Sequence, residues 1–211
     1  MGVKERRERE KLETREKILE AARELFIQQG YDGVSMRMLA QTIEYSPTAI
    51  YLHFADKEQL FQELCRRDFS RLAQVFQDAE MPSDPVKRLM RIGRTYVEFG
   101  TRYPNHYRLM FMAPHPLGEL NGRECEVKGN PEVDAYAFLK LTVQQAMDSG
   151  CFREELKDVD LISQTLWAAV HGVISLQIAK SHDSWVDFRP MEQRAALMLD
   201  VTLRGLLKEV K

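Results

Sequence analysis

Two short helical segments joined by two residues constrain the fold of this chain more than any other feature. They begin after Ser35 and Ser46, both good N-caps, and Pro47 suits the first helical position. The second segment, residues 46–54, is about 13 Å of helix at most and needs tertiary contacts to be stable. Ile50 and Phe54 lie four residues apart and can anchor it to a core. This spacing predicts a helix-turn-helix.

The remaining side chains of the second segment point away from that core. Thr48, Ala49, Leu52 and His53 face outward, and Tyr51 lies at the edge. Small, polar and aromatic side chains on an exposed helix suit a reading head for the DNA major groove. Short helix pairs are also common in all-α proteins, so spacing alone leaves a purely structural role open.

Residues spread over the segment Thr14–Leu60 carry a family resemblance, and they are Ile18, Ala21, Ala22, Leu25, Phe26, Gly30, Tyr31, Ser35, Arg37, Ala40, Ser46, Ile50, Tyr51, His53, Phe54, Lys57 and Leu60. With these residues the segment resembles the N-terminal domain of the tetracycline-repressor (TetR) family of bacterial transcription regulators. In the turn, Glu44 stands where the family usually has glycine, which would cost on the order of 1 kcal/mol if the backbone there is left-handed. Ala49 replaces a frequent threonine and removes a hydroxyl from the DNA face.

The resemblance implies that this region contacts DNA. We assign Tyr51, His53 and Lys57 mainly to phosphate, and Thr48 to a base edge or phosphate. For Lys57, an exposed lysine without a role is the alternative. The predicted DNA-contacting residues are Ser35, Arg37, Ser46, Thr48, Ala49, Tyr51, His53 and Lys57.

Charge composition alone does not indicate nucleic-acid binding. The net charge is −2, and residues 1–57 hold ten cations and ten anions. Affinity for DNA would therefore depend on where the cations lie, because phosphate neutralisation dominates such binding. Residues 1–13 form a charged arm that either extends the first helix, reaches the minor groove or remains solvated.

A second helical domain is expected after residue 60, giving domains at 1–60 and 61–211. Helices are predicted at 85–102, 105–112, 131–149, 159–180 and 190–210, and no alternating strand pattern occurs. The runs Tyr107–Phe111 and Trp167–Gly172 resemble the C-terminal domain of a TetR branch named for a Trp-His-Gly signature. The expected fold is all-α, with a three-helix helix-turn-helix DNA-binding domain and a helical ligand-binding and dimerisation domain.

Adaptable and aromatic side chains are concentrated in the second domain, which favours an apolar or aromatic small-molecule effector. Each of them taken singly is also compatible with an ordinary core position, and His171 is compatible with a hydrogen-bonded core histidine. The candidate ligand-binding residues are Tyr96, Phe99, Tyr103, Tyr107, Phe111, Phe138, Trp167 and His171.

Two apolar helices predict a homodimer. Residues 159–180 are apolar on nearly every side, so a single neighbour cannot cover this helix. We expect it to form an isologous four-helix interface with residues 190–210 and their symmetry mates, burying on the order of 2,000 Å² or more in total. The predicted interface residues are Ala168, Gly172, Ala195, Met198, Leu199, Thr202 and Leu206.

No enzyme signature occurs, since the chain lacks a nucleophile elbow and a glycine-rich phosphate loop. The three cysteines show no disulfide or zinc pattern. His106, His115 and Cys125 match no known ligand spacing, so neither a metal nor another cofactor is expected.

The sequence therefore predicts a cytoplasmic bacterial regulator. The charged N-terminus argues against a secretory signal, and the polar residues within 161–179 argue against a membrane span. We expect a homodimeric, ligand-responsive repressor that binds a palindromic operator. The alternatives are a DNA-binding regulator without an effector, and a helical enzyme or carrier with a vestigial helix-turn-helix.

Overall fold

The computed structural model describes residues 2–113 and 127–208. Within them the chain is helical, and the only strand-like pairing is an isolated antiparallel bridge between Phe152 and Leu207. This confirms the predicted all-α class. The helices are α1 (Val3–Gly33), α2 (Met36–Thr42), α3 (Pro47–Tyr51), α4 (Lys57–Asp78), α5 (Pro85–Arg102), α6 (Pro104–Phe111), α7 (Ala135–Asp148), α8 (Val159–Lys180) and α9 (Met191–Leu206).

The chain divides into two compact units. The first unit comprises Met1–Asp68 with Asn105–Glu119, and the second comprises Phe69–Pro104 with Leu120–Lys211. The sequence-based boundary near residue 60 stays a prediction.

In the first unit, α1 begins at Val3, so the charged segment of residues 3–13 continues the first helix. Gly30 interrupts α1 with φ +73°, a left-handed conformation that glycine adopts without steric cost. The predicted end of the first regular helix therefore falls where the backbone changes direction.

The helix-turn-helix is formed by α2, α3 and the turn between them. Glu44 in this turn has φ +59°, a left-handed conformation that costs a residue with a Cβ atom on the order of 1 kcal/mol. Helix α3 ends at Tyr51 and is shorter than the predicted segment 46–54, because the backbone after it tightens into turns. There the N–H groups of His53 and Phe54 both donate to the Ile50 carbonyl oxygen.

The hydrophobic core of the first unit fixes this arrangement. Ile50 and Phe54 are 0% and 1% exposed, as the four-residue spacing predicts. They join a cluster that includes Phe26, Leu39 and Leu60 from α1, α2 and α4. Truncating a buried Phe of this kind costs roughly 3–5 kcal/mol, so α3 is held by packing rather than by its own helix propensity.

In the second unit, α5 and α9 make a close approach at a glycine. A Cβ atom on Gly93 would lie 2.3 Å from Cδ2 of Leu199, so no larger residue fits there without a shift. Helices α5 and α8 have the predicted bounds, with Asp84 and Asp158 capping their first turns. Helix α9 ends at Leu206 instead of residue 210, because Leu207 is extended and bridges to Phe152.

Among the described residues, only α8 is long and apolar enough to cross a membrane by length and composition. A core helix of a globular protein has the same properties. In this structure α8 packs on α5, α7 and α9, and Ile162, Leu166, Val170 and Ile174 are buried.

Candidate nucleic-acid interface

Serine side chains cap the two helices of the helix-turn-helix. Ser35 Oγ accepts a hydrogen bond from the Met38 amide at 3.1 Å, and Ser46 Oγ accepts one from the Ala49 amide at 3.2 Å. Both serines remain exposed. Because a hydroxyl is donor and acceptor at once, each can still donate its own hydrogen to a phosphate oxygen.

The surface of α3 presents the side chains that the sequence assigned to DNA. Thr48 is exposed, Tyr51 is 53% exposed, and Ala49 is half-buried beside them. Arg37 on α2 is exposed and has no ion pair among the described residues. These residues offer hydroxyls, a methyl group and a free guanidinium, which suit phosphate oxygens and base edges.

Lys57 is positioned rather than free. Its Nζ donates a hydrogen bond to the Tyr31 carbonyl oxygen at 2.9 Å and lies 4.2 Å from the centroid of the Tyr31 ring. An ammonium group has three donors, so two remain for a phosphate. These contacts reduce the rotamer freedom that the lysine would lose on binding DNA.

His53 is half-buried at the end of the α3 segment. Burial lowers the pKa of its imidazole, and the nearby cations Arg15 and Lys11 lower it further. Its Nδ1 has no hydrogen-bond partner among the described residues. Arg15 also fixes the backbone, since its guanidinium donates to the His53 carbonyl oxygen at 3.0 Å and lies 4.2 Å from the Phe54 ring. The lowered pKa disfavours the protonated imidazole, and the contacts of Arg15 hold the His53 backbone close to α3.

Two exposed residues beside this surface are absent from the sequence-based set. Tyr45, in the turn, is 36% exposed, and Leu52, directly after α3, is 77% exposed. The signal was available for Leu52, whose outward direction follows from helical spacing. Tyr45 lies in the turn, and the direction of a turn side chain does not follow from periodicity.

The aromatic residues assigned to an effector fall in both units. In the second unit, Trp167 Nε1 donates to the Tyr96 hydroxyl at 2.9 Å, and His171 Nε2 lies 2.9 Å from Ser175 Oγ. The ring of Phe138 is 6.1 Å from that of Phe76.

Tyr103 and Phe99 also belong to the second unit, with rings 5.4 Å apart. Tyr107 and Phe111 belong to the first unit, where their rings lie 4.8 Å apart and Tyr107 is fully buried.

Two buried hydroxyls in the second unit were missed by sequence reasoning. Thr95 Oγ1 and Tyr136 Oη are buried, and neither has a hydrogen-bond partner within the described part of the chain. Thr95 precedes Tyr96, and the Tyr136 ring lies 5.9 Å from that of Trp167. Leaving such a group unsatisfied costs about 1–3 kcal/mol.

Some of the residues assigned to a dimer interface are accessible to solvent in one chain, and others are buried within it. Ala168 is exposed, and Gly172, Met198 and Thr202 are half-buried. The other three, Ala195, Leu199 and Leu206, are covered by the chain itself and are 3–8% exposed.

A separate set of large apolar residues is exposed on α8 and α9. They are Leu161 and Leu176 on α8, 60% and 50% exposed, and Leu197 and Val201 on α9, 65% and 60% exposed.

A metal site at His106, His115 and Cys125 is not indicated by the sequence, which shows no known ligand spacing for them. His115 and Cys125 lie outside the described residues, and His106 Nδ1 is 2.8 Å from Asp68 Oδ1. In residues 2–113 and 127–208 no three His, Cys, Asp or Glu side chains are grouped as metal ligands would be.

Comparison with known families decides the classification. The model "Bacterial regulatory proteins, tetR family" matches residues 18–64, and the model "Tetracyclin repressor-like, C-terminal domain" matches residues 89–202, more than half of the chain. The chain belongs to the tetR family. The first match covers the helix-turn-helix, and the second covers most of the second unit. Assignment to the Trp-His-Gly branch stays a prediction.

Several named repressors and regulators are similar to this tetR-family chain. The repressor AcnR of Corynebacterium jeikeium is 26% identical over 77% of this chain and 80% of its own length. The regulator AcrR of Shigella flexneri is 32% identical over 73% of this chain and 63% of its own length. AcnR of Corynebacterium diphtheriae is 33% identical, but the match spans only 46% of this chain and 58% of that repressor.

Solved structures share the fold. A tetR-family regulatory protein from Rhodococcus RHA1 has a TM-score of 0.71 at 18% identity, covering 93% of this chain and 98% of that one. AibR, in complex with isovaleryl coenzyme A and operator DNA, has a TM-score of 0.67 at 22% identity, covering 89% and 96%. At these identities the likeness concerns the fold alone.

Proposed function

We propose that this protein is a homodimeric, ligand-responsive transcriptional repressor of the cytoplasm that binds a palindromic operator. The observation that carries the proposal is the exposed surface around α3, where Arg37, Thr48 and Tyr51 lie on a helix-turn-helix fixed by a buried core. Lys57 adds a positioned cation at the start of α4. The relatives are named transcriptional repressors and regulators, which supports this role over an enzymatic one.

Dimerisation is the second part of the proposal. Leu161 and Leu176 on α8 and Leu197 and Val201 on α9 are at least half exposed in one chain, which is costly for a soluble protein. A second copy would cover them. Ala195, Leu199 and Leu206 are already buried, so the proposed interface uses the outer face of α9. Ala168, Gly172, Met198 and Thr202 remain part of it.

The small-molecule effector is the third part. Trp167, Tyr96 and Tyr136 form an aromatic group in the second unit, and the buried hydroxyls of Thr95 and Tyr136 lack partners. An apolar or aromatic ligand with one or two polar atoms would satisfy those hydroxyls. AibR, which has the same fold, was crystallised with an acyl coenzyme A and operator DNA, a precedent for binding both kinds of partner.

The mechanism we infer is a population shift. Two helix-turn-helix units of a dimer must match successive major grooves, about 34–36 Å apart. A ligand that binds one conformation of the dimer better than another shifts the population toward it. Release from DNA follows when the favoured conformation does not match the groove spacing.

The experiment is a selection of genomic DNA fragments by the purified protein, followed by a thermal-shift screen with apolar and aromatic compounds. We expect the bound fragments to share an inverted repeat, and a compound that raises the melting temperature to weaken binding to it. Fragments without a common sequence would contradict operator recognition. Stabilising compounds that leave DNA affinity unchanged would contradict the ligand response.

A further inference from the structure

A groove of about 490 Å³ lies between α5 and α9 in the second unit. Its volume is within the range of small-molecule sites, roughly 300–1,000 Å³. Val86 and Met90 of α5, Leu203 of α9 and Leu207 directly after α9 line it with apolar surface. None of these residues belongs to the aromatic group assigned above to an effector.

The groove is also separate from the proposed dimer face. At 100° per residue, Leu203 lies about 200° around α9 from Val201. Leu203 is 3% exposed and Val201 is 60% exposed, which agrees with opposite orientations. A ligand in the groove and a second copy on the outer face would therefore use different sides of α9.

The rim of the groove is strongly cationic. Lys87, Arg91 and Arg94 follow one another along α5 at spacings of four and three residues, and Arg204 faces them from α9. Asp200 is the only carboxylate among the residues that line the groove. The rim thus carries a net charge of +3, from four cations and one anion, in a chain whose net charge is −2.

Two of these cations are not neutralised by the protein. Arg204 Nε donates a hydrogen bond to Asp200 Oδ1 at 2.8 Å. Arg91 forms a longer ion pair, in which its Nη1 lies 3.8 Å from Glu98 Oε1. Lys87 and Arg94 form no ion pair within the described residues. Like charges three or four residues apart on a helix face destabilise it, so this row does not contribute to the stability of α5.

We propose that the groove binds a single-chain carboxylate amphiphile. Its hydrocarbon chain would lie on Val86, Met90, Leu203 and Leu207, and its carboxylate would meet Lys87 and Arg94 at the open side. This choice of ligand follows from the two kinds of surface in the groove. Covering the apolar side chains with a hydrocarbon chain removes apolar surface from water, and the unpaired cations form favourable charge-assisted hydrogen bonds with a carboxylate. A protein partner fits less well, because stable protein interfaces bury about 800 Å² per partner.

Sodium decanoate, kept below its micelle concentration, is the probe. The protein carries ¹³C-methyl methionine, so that Met90 reports on the groove by NMR, with its signal assigned from Met90→Leu. We expect a saturable shift of the Met90 methyl signal with decanoate. Uncharged 1-decanol and cationic decyltrimethylammonium should bind more weakly, because they lack the anion.

The double variant Lys87→Glu/Arg94→Glu should weaken decanoate binding at least about fivefold, since each exposed ion pair changes affinity by about two- to fivefold. Lys157→Glu, an exposed lysine of the same unit, is the matched control and should leave affinity unchanged. Both changes are at exposed positions, and unchanged melting temperatures would verify folding.

Three results would overturn the proposal. One is a Met90 signal that does not move while the Trp167 indole signal does, which would place the ligand in the aromatic group. The second is equal decanoate affinity in the wild type and the double variant. The third is binding to vesicles of anionic lipid without any response to monomeric decanoate.

Discussion

Arg23 and Asp68 form a buried ion pair in the first unit, with the guanidinium donating to the carboxylate and side-chain exposures of 5% and 2%. His106 Nδ1 contacts the other carboxylate oxygen at 2.8 Å. One carboxylate on α4 thereby joins α1 and α6, because Arg23 lies on α1 and His106 on α6.

Breaking this pair should be costly. We expect Arg23→Ala to lower the free energy of unfolding by about 3–5 kcal/mol, because it leaves the Asp68 carboxylate buried without its cation. Arg66→Ala is the matched control. Its partner Glu63 lies on the same helix and the arginine is half exposed, so about 1 kcal/mol or less is expected. Urea denaturation measures both, and equal losses would refute a special role for the buried pair.

The strained turn gives a stabilising variant. Glu44→Gly should raise the free energy of unfolding by about 0.5–1 kcal/mol, because glycine adopts φ +59° without a Cβ clash while losing more chain entropy on folding. Glu44→Ala removes the same charge but keeps the Cβ. Urea midpoints that rise equally in both variants would show that charge, and not backbone strain, is responsible.

Two variants test the DNA contacts. Tyr51→Phe and Lys57→Ala should weaken DNA binding and reduce the slope of log affinity against log salt, by about one unit for each lost ionic contact to phosphate, so chiefly for Lys57→Ala. Tyr51→Phe removes an exposed hydroxyl and should leave stability unchanged. Lys57→Ala also loses the contact with Tyr31, so its melting temperature is the internal check. Affinity and salt slope that stay at wild-type values in both variants would rule out the proposed docking.

The dimer face is tested by Leu197→Glu/Val201→Glu. Both side chains are exposed in one chain, so the double variant should fold and sediment as a monomer at micromolar concentration. Leu141→Glu, at a 41% exposed apolar residue on α7, is the control and should remain dimeric. A wild type that is monomeric, or a double variant that stays dimeric, contradicts this interface.

The lowered pKa values of two histidines predict how the stability of the protein depends on pH. Burial lowers the pKa of His171, and burial with Arg15 and Lys11 nearby lowers that of His53. Each binds fewer protons when folded, so its contribution to stability is present above the unfolded pKa of about 6.5 and is lost as pH falls. Denaturation midpoints should therefore decrease from pH 7.5 to 5.5.

A glutamine at position 171 should make that decrease shallower. A His171→Gln profile that superimposes on that of the wild type would show that His171 does not contribute.

The sequence predicted the features that are encoded locally. The bounds of α5 and α8 follow from capping aspartates and the polar breaks around them, and Gly30 marks a backbone change that its residue type indicates. The left-handed backbone at Glu44 was indicated only by the glycine that the tetR family usually has at this position.

Features that depend on distant residues could not be predicted in this way. Tyr96 and Trp167 are 71 positions apart, so their hydrogen bond exists only through the packing of α5 on α8. Periodicity showed that α9 is apolar on a broad face, but not that the chain itself covers Leu199 and leaves Leu197 exposed.

The central claim, that two copies of α3 read DNA together, is tested most directly by hydroxyl-radical footprinting of the wild type on a selected genomic fragment. We expect two protected segments related by an inverted repeat, with centres separated by about one helical turn, 10–10.5 bp, or a multiple of it. Tyr51→Phe combined with Lys57→Ala should weaken both protections together. A single protected segment, or paired protections that are unaffected by these two changes, would contradict it.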